Sequence, residues 1–151
     1  MQAHELIRTT RERLGLDDVS TAQACGLSVA ELGDIEQHAG EFEGGVPARS
    51  AVRLSRTLAL PLYALLSVRD DSPVTLLNPG EYVQAIRIAA QISEEALDDL
   101  LGYENGFIRQ VEAGQIDLTS YPLELALDIA ARTRSSPGHM LRVIGCAVLQ
   151  H

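Results

Sequence analysis

The chain has 151 residues and 12 basic side chains, all arginine, against 21 acids, so its formal net charge is −9. A hydrophobic content of 46% with no Trp supports a folded aliphatic core, and the length suits one ordinary domain or two small ones. No run of about 18 apolar residues and no signal-peptide pattern occurs, which predicts a soluble, cytoplasmic protein with no membrane contact.

Read in chain order, the pattern is helical throughout. The first helix is expected from about His4 to Leu14, with Leu6, Ile7 and Leu14 inward and Gly15 ending it. Asp17 caps a second helix whose Val19, Ala22, Ala24 and Cys25 make a small-residue face, and Gly26 turns the chain. Ser28 and Glu31 have the spacing of a capping box for a third helix that turns Leu32 and Ile35 inward. Gln37 to Val46, rich in glycine and acid, reads as a loop. A fourth helix follows Pro47, and Pro61 opens a fifth that buries Leu62, Leu65 and Leu66. Arg49, Arg53 and Arg56 recur at helical spacing on the fourth helix, either as a solvated face or as a surface for an anion or a partner.

Arg69 to Pro73 reads as a polar linker, and Asn78-Pro79-Gly80 as a turn before a helix over about Glu81 to Ala90 with Val83 and Ile86 inward. Ser93 then caps a helix with the stripe Ala96, Leu97, Leu100 and Leu101; Gly102 turns the chain, Ile108 and Val111 face inward on the next helix, and Gly114 stops it. Ser120 and Pro122 begin another helix that runs through Leu125 and Ile129 to Arg132. Ser136-Pro137 starts the last, apolar through Met140, Leu141, Val143, Ile144, Val148 and Leu149, whose end suits core burial or contact with the other half or a second chain.

Ser93, Leu97, Gly102, Ile108 and Glu112-Ala113-Gly114 together resemble the XRE class of helix-turn-helix proteins, the phage repressor and Cro type; the family alanine after the leucine is Asp98 here. A shift of 76 residues without gaps places Arg11 on Arg87, Gly26 on Gly102, Glu36 on Glu112, Arg56 on Arg132, Thr57 on Thr133 and Pro61 on Pro137. The chain is therefore expected to be all-α, with two tandem five-helix repressor-like domains at residues 1–72 and 77–151, the first degenerate. The resemblance also implies an ion pair between the first helix and the end of the third: Arg11 with Glu36, and Arg87 with Glu112.

In that family the third helix reads the major groove. The first copy displays Val29, Ala30, Glu31, Gly33 and Asp34 there, none suited to bidentate contact with a purine. The second displays Glu104, Asn105, Gly106, Phe107, Arg109 and Gln110; Asn105, Arg109 and Gln110 are candidate base contacts and Phe107 a candidate for a thymine methyl. Both halves are acidic, with 7 Arg against 11 acids up to residue 76 and 5 against 10 beyond it, so affinity for random DNA should be weak. No spaced catalytic set is present, the histidines His4, His38, His139 and His151 are scattered singly, and Cys25 and Cys146 have no metal or redox spacing, so neither enzyme activity nor a cofactor or metal is expected. Two functions follow. One is a non-enzymatic transcriptional regulator, possible as a homodimer, with weak or partner-assisted DNA binding through the second copy. The other is a helix-turn-helix fold turned to protein binding, antitoxin-, immunity- or anti-repressor-like, without DNA contact.

Overall fold

A computed structural model describes residues 1–71 and 77–149, so the Ser72-Pro73 part of the expected linker and His151 lie outside it. The described chain is all-α. In the N-terminal half, α1 (Ala3–Arg13), α2 (Asp18–Cys25), α3 (Val29–Gln37), α4 (Glu41–Gly44), α5 (Ala48–Thr57) and α6 (Leu62–Leu65) follow one another. The C-terminal half contains α7 (Pro79–Ala89), α8 (Glu94–Leu101), α9 (Phe107–Glu112), a 3-10 turn at Leu118–Ser120, α10 (Leu123–Arg132) and α11 (Pro137–Leu149). Among the described residues no helix is long and apolar enough to cross a membrane.

Local chemistry explains most of the boundaries. The Asp17 carboxylate accepts the Ser20 N–H at 2.7 Å, a bond that holds its pKa below the usual range, and Ser93 Oγ accepts the Ala96 N–H at 3.1 Å. Both helices end on a left-handed glycine, Gly26 at φ 72° and Gly102 at φ 77°, a conformation that would strain a side chain bearing a Cβ. The first helix of the C-terminal half starts two residues before Glu81, with Asn78 as its cap and Pro79 in the first turn. The loop expected over Gln37–Val46 contains the helical turn α4, because Phe42 is drawn into the core and Gly40, at φ 91°, admits the chain to it.

Helix boundaries recur along the chain. Ala3 and Pro79, Arg13 and Ala89, Asp18 and Glu94, and Cys25 and Leu101 each stand 76 residues apart. Beyond the third helix the spacing changes to 75: Ala48 and Leu123 begin α5 and α10, Thr57 and Arg132 end them, and the left-handed residues Ala59 and Arg134 follow. The gapless shift is therefore one residue out in this part of the chain. Arg56 matches Ala131 rather than Arg132, because the stretch from the paired glutamate to the next long helix, Glu36 to Ala48 against Glu112 to Leu123, is one residue shorter in the C-terminal half.

Two ion pairs tie the elements together. Arg11 on α1 meets Glu36 on α3 with both ends of its fork, Nε to Oε2 at 2.6 Å and Nη2 to Oε1 at 3.0 Å, and its Nη1 donates to the Leu16 carbonyl at 2.8 Å. Arg87 on α7 meets Glu112 on α9 at 2.8 Å and donates to the Ile92 carbonyl at 3.0 Å. Hydrogen bonding to the glutamate raises each guanidinium pKa above its ordinary value, against the opposing effect of burial.

The buried side chains of both halves form one continuous cluster. Across the junction α5 packs on α11 and on the 3-10 turn, and α4 packs on α10. The Ala48 N–H donates to the Tyr121 carbonyl at 2.7 Å, Arg142 pairs with Asp70 at 2.7 Å, and Ser136 Oγ donates to Asp71. The apolar faces are narrower than the sequence suggests. Val19, Leu14 and Leu100 are exposed, as are Ala24 and Ala96, while Thr21 and Asp98 are buried in their place. Cys25 is buried, which raises its thiol pKa, and Cys146 is half-buried.

Arg11→Met or Arg87→Met should strand a mostly buried glutamate and cost about 3–5 kcal/mol in urea denaturation. An effect no larger than that of an exposed pair would mean that the carboxylate finds water instead. At the junction, a Cβ on Gly138 would lie 2.2 Å from the Arg69 carbonyl oxygen and 3.0 Å from the Asp71 nitrogen. Gly138→Ala should therefore force backbone apart and destabilise by about 1–3 kcal/mol, read as a lowered Tm.

Candidate functional site

The third helix of each half and its surroundings form the candidate site. In the N-terminal half, Ser28 Oγ accepts the Glu31 N–H at 3.0 Å while Glu31 Oε1 accepts the Ser28 N–H at 2.9 Å, so α3 is capped from within. At the expected reading positions Val29, Ala30, Glu31 and Asp34 are exposed and Gly33 is half-buried, and Gln37 is exposed at the last position of the helix. The stretch from Val29 to Asp34 has no side-chain nitrogen donor and two acids; the amide of Gln37 lies at the far end of the helix.

The corresponding helix of the C-terminal half is capped by different means. Glu104 and Phe107 occupy the capping-box positions, so no box forms, and α9 begins only at Phe107 after Gly106 at φ 94°. The free N–H groups at its start are met by Asp98, a fully buried carboxylate on α8. Its Oδ2 accepts the Gly106 N–H at 2.9 Å and its Oδ1 the Ile108 N–H at 2.8 Å. A carboxylate there is favoured twice, by charge-assisted hydrogen bonds and by the positive end of the helix dipole. The departure at Asp98 is thus a structural part of the half that carries it. The signal for it in the sequence was the lack of a Ser, Thr, Asp or Asn immediately before Phe107.

Two of the candidate base contacts need correction. Asn105 is exposed but lies in the turn before Gly106, not on the helix, because the helix starts at Phe107, three residues after the expected Glu104. Phe107 is 8% exposed and does not point outward. It stacks on Tyr103 with ring centroids 4.1 Å apart and meets the edge of Tyr121 at 5.7 Å, so its ring belongs to an aromatic cluster. Burial, with Tyr121 and nearby acids adding to it, raises the Tyr103 phenol pKa.

Arg109 and Gln110 are exposed on α9. Arg109, however, is held by acids at the start of α8: Nε lies 3.0 Å from Glu94 Oε2 and Nη2 3.7 Å from Glu95 Oε1. The hydrogen bond to Glu94 raises its pKa, and Glu94 also lies 3.8 Å from Arg87. A phosphate or base edge approaching Arg109 meets two carboxylates as well.

The stripe on α5 differs. Arg49 and Arg56 are exposed and Arg53 half-buried, and among the described residues none has an acidic partner within 4.0 Å. Arg53 passes the turn between α2 and α3, its Nη1 3.6 Å from where a Cβ on Gly26 would sit. At the spacing of 75 that relates α5 to α10, Arg49 and Arg53 correspond to Glu124 and Asp128, so the fourth long helix changes sign between the halves. The unpaired cations of α5 and the candidate hydrogen-bond donors on α9 belong to different halves of the chain.

Among the described residues no three His, Cys, Asp or Glu side chains converge as a metal site. Comparison with protein-family models, with curated proteins and with solved structures finds no match to this chain.

Asp98→Ala should leave the Gly106 and Ile108 N–H groups without their acceptor and cost about 1–3 kcal/mol. Urea denaturation together with amide exchange at Ile108 checks this; unchanged protection of Ile108 would show that water replaces the carboxylate.

Proposed function

We propose that the chain is a tandem helix-turn-helix protein of the XRE type whose regulatory work is done through protein contact rather than by reading bases. The recurrence of helix boundaries, the left-handed glycines between second and third helices, and the two Arg–Glu pairs support a duplicated helix-turn-helix fold. One observation carries the choice of partner: the donors of α9 and the unpaired cations of α5 lie in different halves, and Arg109, the cation on α9, is already paired with Glu94 and Glu95. Affinity for nucleic acid depends on cations that neutralise phosphates beside the reading helix; the N-terminal half offers the α5 arginines without a donor between Val29 and Asp34, and the C-terminal half offers donors on α9 with the cation of that helix already paired. A folded acidic regulator of this kind suits a protein partner, as an antitoxin, immunity protein or anti-repressor does.

A second reading, direct DNA contact by the C-terminal half, draws on the exposure of Arg109 and Gln110 along one helix. Selection from a random-sequence duplex pool at low salt separates the two. The protein-contact reading expects no enriched motif. A motif that is enriched by the wild type and lost with Arg109→Ala would establish the second reading.

Glu94→Gln combined with Glu95→Gln should release Arg109 and raise retention of random DNA at low salt by roughly three- to tenfold. Fluorescence anisotropy of a labelled duplex measures it. No gain would mean that Arg109 is not what limits binding.

A further inference from the structure

The two halves do not close on each other along the whole of α11. Near its start Gly138 packs directly against backbone at Arg69, whereas a Cβ on Gly145, two turns on, would have nothing within 4 Å. Between the diverging surfaces lies a groove of ≈ 600 Å³, with Val52, Leu60 and Leu62 on one wall and Leu141 and Leu149 on the other. This volume falls within the roughly 300–1,000 Å³ of small-molecule sites, and an apolar lining with a few polar groups is their usual composition.

The charges on the lining are not balanced. Arg142 is engaged by Asp70, at 2.7 Å from Nη2 and 2.9 Å from Nε. Arg56, from the opposite wall, has no acidic partner within 4.0 Å among the described residues, so the groove has one positive charge in excess within a chain of net charge −9. Glycine inside a helix costs about 1 kcal/mol relative to alanine, and at Gly145 no neighbouring atom fills the space that the missing side chain leaves.

We propose that the groove binds a small amphipathic carboxylate, its apolar body between α5–α6 and α11 and its carboxylate on Arg56. A purely apolar ligand would leave the guanidinium unused. A phosphate or nucleotide would desolvate more charge against the leucines than one arginine compensates, and a second carboxylate would face Asp70. Because the walls come from both halves, an occupant would reinforce their packing, and it would do so whatever α3 and α9 contact.

Octanoate is a suitable probe, with octan-1-ol as its uncharged counterpart and the methyl NMR signals of Leu60, Leu141 and Leu149 as reporters. Octanoate should shift these signals saturably and bind about tenfold more tightly than octan-1-ol, the advantage of one charge-assisted hydrogen bond. Arg56→Gln should remove that preference. Gly145→Leu, substituted where the Cβ position is open, should abolish binding of both probes while leaving a folded protein with an unchanged or higher Tm. Absence of saturable shifts, equal binding of the two probes to the wild type, or a folded Gly145→Leu protein that still binds octanoate would each overturn the proposal. Sedimentation velocity adds one more such outcome: a concentration-dependent dimer dispersed by Gly145→Leu would assign the groove to a second copy of the chain.

Discussion

Each half is organised by a guanidinium that cannot be moved without exposing or stranding a glutamate. Arg11 and Arg87 start from the first helix of their half, reach the end of the third, and use a remaining N–H on a carbonyl just before the second. Three segments distant in sequence are thereby set relative to one another by one side chain. The planar fork of arginine supplies this geometry, with two bonds to a carboxylate and a third at a fixed angle, which the single ammonium of lysine does not. The placement of the ends of α3 and α9 against the first helix of their half follows from it.

Charge distinguishes the surfaces of the halves. The fourth long helix carries Arg49 and Arg53 in one and Glu124 and Asp128 at the matching places in the other. On the third helices the contrast is between small and acidic residues from Val29 to Asp34 and an exposed arginine paired with two acids. The sign change on the fourth long helix leaves its length unaltered at ten residues, since exposed side chains contribute little to helix formation beyond propensity and capping. They decide what each surface can meet.

Much of this was legible in the sequence, and for identifiable reasons. Asp17, Ser28 and Ser93 are local caps, and Gly26 and Gly102 are local stops, so the helices they bound could be read from a few neighbouring residues. The partnership of Arg11 with Glu36 came from resemblance, since a contact across 25 residues leaves no periodic trace. What escaped reading depends on longer range or finer scale. A four-residue helix is shorter than any useful periodicity window, so α4 reads as a loop in the sequence. Phe107 turned inward because Tyr103 and Tyr121 offer it a face and an edge, a matter of tertiary placement. Leu14 and Leu100 stayed outside because their helices bury a stripe narrower than their apolar content. The groove along α11 requires the relative placement of the halves, which no local pattern encodes.

The two ways of starting a third helix differ also in when they can act. The cap of α3 comes from its own first residues, three positions apart, and forms as the helix forms. That of α9 comes from Asp98, eight and ten residues upstream, and exists only once α8 is in place across the turn. Neither helix is long enough to be stable alone, but α3 brings its cap with it, whereas α9 loses its cap whenever α8 is displaced. The same architectural step is thus a local event in one half of the chain and a cooperative one in the other.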